Sequence, residues 1–421
     1  MSGYRMVRML VAFGVGILVA RYLGPELYGQ LSYSLALILL LIGVAGPGMK
    51  DVITQRVDQN KEETTQILWA SFRLMLVMNI ILLGIAFLIA VLLRPDQPVI
   101  WAMTVIIGLG NVFRAFESFE ILFLYRLQMK RTVLIQAFSF FVISASKLIL
   151  IAAGADVVLF SVAVGAEILI TGIGFWWLYR KEKDSGYVTA KPGFATERII
   201  LKTALPAIGG LAFTVMLFKV DQVMLGWLSG DADVGRYAIA AQFSEYWMYL
   251  ATALVVSTYP NLLDAYGKSR ELFELKFTRL CSVLIYGALA IAIPVWLLGE
   301  WIILFFLGDA FADSAVILGI HIWSVFFVFL LEAMKKYYVI ERILPAFIKV
   351  TLFAALLNIA LNLWLIPEMA GQGAAWATVI SYGAAGFWGL LLFGETRRAA
   401  LLILKSVVYP FLWLLRRNRT S

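Results

Sequence analysis

The sequence predicts an all-α, polytopic membrane protein with twelve transmembrane helices in two six-helix lobes. Hydrophobic residues make up 62% of the 421 residues and charged residues only 15%, with a mean hydropathy of +0.87. A soluble domain of this length could not bury so much apolar surface. The apolar residues also form runs of about 20 or more, the length that a helix needs to cross a bilayer.

The spans are predicted to be helical because an open strand leaves backbone groups without hydrogen bonds in lipid. Several runs exceed one bilayer thickness, and these helices are expected to tilt or protrude. In chain order, the twelve predicted spans are 4–21, 27–48, 66–93, 98–124, 133–153, 157–179, 203–227, 235–259, 278–306, 314–339, 346–366 and 372–394.

The basic residues between the spans predict the orientation. Of the 35 Lys and Arg residues, 28 lie in the first segment and in every second loop after it, and four lie within spans. The opposite loops hold only Arg21, Arg94 and Arg236. Because loops rich in Lys and Arg stay in the cytoplasm, both termini are predicted to be cytoplasmic.

The longest polar loop follows the sixth span and predicts the boundary between the lobes. We therefore expect an N-terminal six-helix lobe over 1–184, a cytoplasmic linker over 185–202 and a C-terminal six-helix lobe over 203–396. A short internal echo supports two halves of equal orientation, since Gly24–Gly29 and Gly230–Gly235 each place two glycines five apart in outer loops.

The C-terminal segment 397–421 is apolar in its middle and basic at both ends. A thirteenth span would carry its terminal arginines outside, and Pro410 interrupts the run. We therefore favour a basic amphipathic helix at the membrane interface, where it would meet anionic lipids.

Several classes of chemistry are excluded or disfavoured. The single Cys281 and the single His321 leave no disulfide framework and no Cys/His metal site, and we expect His321 to pack or hydrogen-bond within span ten. There is no phosphate-binding loop for a nucleotide, and Gly108-Leu109-Gly110 lies within a span, where helix packing is expected. We predict no cofactor, no metal and no enzymatic activity. The net charge of +8 lies in short loops, which predicts lipid rather than nucleic acid as its partner.

Charged residues within the spans are the most informative for function, because an intramembrane charge needs a partner or a task. Arg114 can pair with Glu117 one turn away on its own helix. Lys147 and Lys219 have no carboxylate within one turn, so each needs an anionic group from elsewhere. With Arg8, these basic residues would suit an anionic head group such as a pyrophosphate.

The stretch from Leu217 to Glu245 predicts two helices joined by a tight outer hairpin. With the turn centred on Ala232, Lys219 and Glu245 lie thirteen positions on either side and reach about the same depth. Asp221 cannot share a face with Lys219, because two positions correspond to roughly 200° round a helix. Lys219 and Glu245 could form a structural ion pair, or they could act on substrate or ion.

The chain resembles the Wzx-type O-antigen flippases, polysaccharide transporters of the multidrug/oligosaccharidyl-lipid/polysaccharide exporter superfamily. The resemblance extends in order over almost the whole sequence. It is carried by residues 8–11 (RMLV), 19–29 (VARYLGPELYG), 221–226 (DQVMLG), 234–237 (VGRY), 257–260 (STYP), 358–367 (NIALNLWLIP) and 373–378 (GAAWAT).

The resemblance implies two lobes around a central cavity that opens to each side of a bacterial inner membrane in turn. It implies a flippase for an undecaprenyl-pyrophosphate-linked oligosaccharide, with a polysaccharide polymerase as a candidate partner. Arg8, Arg114, Lys147 and Lys219 would draw in the pyrophosphate, and Asp221 or Glu245 would bind a coupling proton or cation.

Two alternatives remain open. A drug/cation antiporter of the same superfamily would need cavity carboxylates without basic neighbours, whereas bases are well represented here. A membrane-embedded glycosyltransferase or ligase would need a large outer loop with catalytic residues, and all outer loops of this chain are short.

Overall fold

The computed structural model describes residues 2–59, 63–183 and 194–417, with the side chains of 2–6, 43–48, 51, 183, 194–195, 206–207 and 411–417 outside the description. The described residues are helical and contain no strand, which confirms the all-α class. The helices are α1 Ser2–Gln59, α2 Thr64–Leu93, α3 Pro98–Val112, α4 Glu117–Tyr125, α5 Met129–Ala152, α6 Val157–Lys183, α7 Phe194–Leu228, α8 Asp231–Glu245, α9 Met248–Lys268, α10 Arg270–Leu307, α11 Asp313–His321, α12 Ser324–Ile340, α13 Leu344–Gly386 and α14 Arg397–Arg417.

The predicted spans map onto these helices with few changes. Nine helical segments of the described chain are long and apolar enough to cross a membrane. Two of them contain a sharp backbone break, at Gly24 in α1 and at Ala370 in α13, and each therefore holds two predicted spans. The remaining predicted span, 235–259, is formed by α8 and α9, which meet at residues 246–247.

The outer turns of the two halves use a glycine at equivalent positions. Gly24 has a φ of +72° and Gly230 a φ of +125°, a region that glycine enters without steric cost. A helix restarts at the next residue in each case, at Pro25 and at Asp231. Proline suits a first helical position because the first amides of a helix have no internal acceptor. The sequence echo therefore marks the same turn in both halves.

The second turn differs from its prediction. Because α8 already begins at Asp231, the turn lies at Ser229–Gly230, about two residues before the predicted centre at Ala232. The acidic residues of this stretch occupy the first turn of a helix, where they complement the positive end of its dipole. Lys219 and Glu245 are therefore no longer at equal distances from the turn.

A second pair of turns repeats on the inner side. Leu127, with a φ of +57°, separates α4 from α5, and Arg342, with a φ of +59°, separates α12 from α13. In both turns the amide of the next residue donates to a carbonyl five positions earlier. The amide of Gln128 donates to Phe123 at 2.8 Å, and that of Ile343 donates to Tyr338 at 3.0 Å. This left-handed cap satisfies carbonyls at a helix end. It follows spans four and ten, which correspond in the two halves.

Contacts divide the chain into two compact units, Met1–Trp227 and Leu228–Ser421. The linker predicted over 185–202 lies partly outside the described residues. Its described part, from Phe194 onward, is already helical and continues into α7 without interruption. The first unit has an aromatic core in which the ring of Trp69 lies 5.6 Å from that of Trp176 and 5.5 Å from that of Phe119.

The C-terminal helix α14 packs along the first half of α10. Arg398 forms an ion pair with Glu274, and the hydroxyl of Tyr286 donates to the carbonyl of Val407 at 2.7 Å. The helix runs through Pro410, so the interruption expected there does not occur. A single proline costs a helix one hydrogen bond, which packing against a neighbouring helix can offset.

Gly108 and Gly110 lie where neighbouring helices pack closely. A Cβ placed on Gly110 in α3 would lie 2.4 Å from the backbone of Gly165 in α6, and one on Gly108 would lie 2.2 Å from Leu83. Small residues let two membrane helices approach each other closely. The packing role predicted for this glycine pair is confirmed.

We expect Gly110→Ala to lower the thermal stability of the purified protein by the equivalent of about 1–3 kcal/mol, the usual cost of overpacking. The backbone of Gly165 cannot move aside as a side chain could. Gly84→Ala in α2 is the matched control, since its Cβ would meet nothing within 4 Å. Equal melting temperatures for both variants would show that the α3–α6 contact is not tight.

Candidate functional site

Three charged residues from three helices of the first unit form one cluster. Arg8 of α1 places its Nη2 atom 3.5 Å from Oε1 of Glu167 in α6, and its guanidinium lies 5.2 Å from the ring of Phe140. The charge of Glu167 also acts on Lys147 of α5. The role of Lys147 in binding an anionic group stays a prediction.

Helix geometry brings Lys147 and Glu167 to similar depths. Glu167 lies ten residues into α6, about 15 Å from the outer turn, and Lys147 lies five residues before the end of α5, about 8 Å from it. Helical side chains lean toward the N-terminus of their own helix. The lysine in α5 is therefore expected to lean inward and the glutamate in α6 to lean outward, which reduces their difference in depth.

A polar contact beside the cluster fixes α5 against α6. The hydroxyl oxygens of Ser139 and Thr171 lie 2.6 Å apart, and Thr171 also bonds to the backbone carbonyl of Glu167 at 2.8 Å. Hydrogen bonds between membrane helices help to set their register. The backbone that carries Glu167 is thus held by a contact one turn away.

Glu167 did not figure among the predicted site residues, although the sequence contains a signal for it. It lies in the middle of the apolar run 157–179 as the one charged residue of that run. The rule that singled out Lys147 applies equally to this carboxylate. Its partners could not be predicted, because they lie on other helices.

The structure places Arg114 in a different environment. Its Nε atom lies 3.1 Å from Oε1 of Glu117, which confirms the predicted pair within one turn. The two residues flank the junction between the short 3-10 turn Phe113–Phe116 and α4. The neighbouring Glu120 pairs with Lys50 of α1 at 2.7 Å. The role of Arg114 in substrate binding stays a prediction, and its guanidinium already has a carboxylate partner.

Lys219 and Asp221 both lie in α7. The side chain of Asp221 is buried, with 2% of its residue surface exposed, and its Oδ1 atom accepts the amide of Gln222 at 2.8 Å. Lys219 is half-buried.

Glu245 is the last residue of α8, in the second unit, and is half-buried. Its predicted ion pair with Lys219 rested on equal distances from a turn at Ala232, and that turn lies about two residues earlier. The pair stays a prediction, as does the role of either carboxylate in ion coupling.

The second unit contains a buried polar seam. Nδ1 of His321 lies 2.6 Å from the hydroxyl of Ser244, and the hydroxyl of Tyr237 lies 3.0 Å from that of Thr378. His321 is therefore a packed, hydrogen-bonded residue, as predicted for span ten. These bonds join α8 to α11 and α13.

The two asparagines of span eleven bond to each other. The side-chain amide of Asn362 donates to Oδ1 of Asn358 at 2.9 Å, and both residues are fully buried. They bond along one helix face rather than across helices. In the described part of the chain, no group of three or more His, Cys, Asp or Glu side chains could hold a metal ion.

Two family models match the chain. The model described as polysaccharide biosynthesis protein matches residues 2–265, and the MatE model matches residues 206–364. No curated protein sequence matches the chain.

Solved structures share its fold across nearly full length. A lipid II flippase MurJ in an inward closed conformation has a TM-score of 0.76 and 14% identity, covering 100% of this chain and 92% of that one. An inward-facing multidrug resistance MATE family transporter of the MOP superfamily has a TM-score of 0.71 and 14% identity, covering 98% and 96%. A MOP superfamily transporter from Pyrococcus furiosus, titled for the reverse polarity of its binding pocket, has a TM-score of 0.59 and 14% identity, covering 96% and 94%.

These structures show the twelve-helix, two-lobe fold that the sequence predicts. The chain is a multi-pass membrane protein with this fold. With more than half of its length matched by one family model, the chain belongs to the polysaccharide biosynthesis protein family.

Proposed function

We propose that this protein is a flippase that moves an undecaprenyl-pyrophosphate-linked oligosaccharide from the cytoplasmic to the outer leaflet by alternating access. One observation carries the proposal. In a member of a polysaccharide biosynthesis family, Arg8 pairs with the carboxylate of Glu167 within membrane-spanning helices, and the charge of the same carboxylate acts on Lys147. Two cations with one anion leave a surplus positive charge, which suits an anionic head group.

The physical argument concerns the cost of moving a pyrophosphate through hydrocarbon. A charged group at the bilayer centre is expensive unless an opposite charge accompanies it. Arg8 and Lys147 lie on helices that cross the membrane, so they can accompany the head group through part of its path. In this proposal Lys219 serves the same purpose from α7, and Arg114 remains a weaker candidate because Glu117 already holds it.

A coupling ion would supply the driving force. Asp221 is the stronger candidate for binding it, since its carboxylate is buried within a membrane helix. Glu245 is the second candidate. A carboxylate in this environment can bind a proton or a small cation and lose its charge, which is the usual basis of ion coupling in transporters.

The proposed setting is the inner membrane of a bacterium, with both termini in the cytoplasm, the glycan an O-antigen unit and a polysaccharide polymerase as partner. The orientation rests on the bias of Lys and Arg toward one set of loops. The exposed Lys405 and the arginines at the start of α14 would contact anionic lipids on that side. We propose transport rather than catalysis.

A drug/cation antiporter is the second candidate function. The MatE match over residues 206–364 and the fold of the MATE transporter favour it. Arg8, Lys147 and Glu167 lie outside that match, whereas Lys219 and Asp221 lie within it. The two functions therefore predict different consequences of losing the protein.

Depletion in the native host would separate them. A flippase predicts loss of surface glycan, accumulation of lipid-linked oligosaccharide accessible only from the cytoplasmic side, and unchanged drug susceptibility. Normal surface glycan together with increased drug susceptibility would favour the antiporter and contradict the proposal.

A further inference from the structure

The ion pair between Glu167 and Arg8 is looser and more exposed than a structural ion pair of the same unit. The side chain of Glu167 is 24% exposed and that of Arg8 is 44% exposed, so the pair is not sealed among the helices. Their closest contact, 3.5 Å, is longer than a strong charge-assisted hydrogen bond of about 2.7–2.9 Å. The ion pair between Lys50 and Glu120 in the same unit is tighter, at 2.7 Å, and its carboxylate is only 13% exposed.

Lys147 is held less directly still. The charge of Glu167 acts on Lys147. Among the described residues, Lys147 itself makes no hydrogen bond or ion pair, whereas Glu167 pairs with Arg8. One carboxylate thus pairs with one cation and acts on a second through its charge, and both cations lie on membrane helices. An incoming dianion could satisfy both cations better than a single carboxylate does, because it brings more negative charge and more acceptor oxygens.

We infer that Glu167 is the resident counter-ion of Arg8 and Lys147 and that the anionic head group of the cargo displaces it. The inference rests on the proposed function. It adds Glu167 as a residue that sets the affinity for the head group. In the empty protein Glu167 limits the cost of two unpaired cations in the membrane. When the head group binds, Glu167 becomes a like charge beside it, which weakens binding and favours release.

The test is the affinity of the purified full-length protein for inorganic pyrophosphate, measured by calorimetry at one salt concentration. Glu167→Gln removes the competing charge and should bind pyrophosphate on the order of tenfold more tightly than the wild type. Lys147→Gln should bind more weakly. Glu167→Asp keeps the charge and should bind less tightly than Glu167→Gln.

Glu120→Gln is the matched control, because it neutralises a carboxylate of the same unit that has its own lysine partner. Its affinity for pyrophosphate should not change. If Glu167→Gln yields no folded protein, the double variant with Lys147→Gln is compared with Lys147→Gln alone. The inference again requires tighter binding when Glu167 is neutralised.

The outcomes separate the inference from the proposed function. Unchanged or weaker binding by Glu167→Gln, with weaker binding by Lys147→Gln, would overturn the counter-ion role and leave the flippase proposal intact. Wild-type binding that neither Lys147→Gln nor Glu167→Gln alters would contradict both, since the pyrophosphate would then bind elsewhere.

Discussion

Lys147→Gln is expected to abolish surface glycan while the amount of protein in the membrane stays near normal. Glutamine keeps most of the length of the side chain and can still hydrogen-bond, but it removes the positive charge that would accompany the pyrophosphate. Glu167 would retain Arg8 as a partner, so no carboxylate is left without a cation. Surface glycan and membrane abundance are measured together in cells that carry only the variant gene.

Lys50→Gln provides the control for this prediction. Lys50 also lies on a helix of the first unit, but it forms a close ion pair with Glu120, which Gln136 contacts as well at 3.2 Å. That variant should keep its surface glycan. Normal surface glycan in Lys147→Gln would show that Lys147 has no role in transport. Loss of the protein from the membrane would show that Lys147 is needed for folding. Lys219→Gln is expected to behave as Lys147→Gln does.

Asp221→Asn is expected to reduce transport to background without loss of protein. The two side chains have the same shape, and asparagine can still accept the amide of Gln222. What disappears is the ability to bind a proton or cation, and with it the response of transport to an ion gradient. The measurement is glycan transport in proteoliposomes with and without an imposed proton or sodium gradient.

Asp231→Asn is the matched control, since Asp231 is also a buried aspartate, with 3% exposed, but lies in the first turn of α8. There its charge complements the helix dipole, a contribution of about 0.3–1 kcal/mol to stability. We expect slightly lower stability and normal coupling. If Asp221→Asn still responded to the gradient as the wild type does, Asp221 would not be the coupling carboxylate, and Glu245 would be the next candidate.

The sequence predicts the membrane spans well because each span is marked by the length and the apolar residues of its own run. It also locates the turn at Gly24, where a Gly-Pro pair ends one helix and begins the next. The second turn was placed about two residues late, because three acidic and small residues after Gly230 are typical of a loop. The structure uses them as the first turn of α8, where acidic side chains are equally favourable.

The candidate site was harder to predict than the fold. The pair of Arg114 with Glu117 follows from spacing on one helix and could be predicted. The pairing of Arg8 with Glu167 depends on which faces of α1 and α6 pack together, and one sequence does not contain that information. The continuation of α14 through Pro410 likewise depends on its packing against α10.

The most direct test of the central claim is flipping by the purified protein. Liposomes containing the protein and an undecaprenyl-pyrophosphate-linked oligosaccharide are probed with a membrane-impermeant lectin that binds the sugar. The wild-type protein should expose the protected half of the lipid-linked sugar to the lectin, and Lys147→Gln should not. Exposure at the same rate in protein-free liposomes, or equal rates for the wild type and Lys147→Gln, would contradict the account.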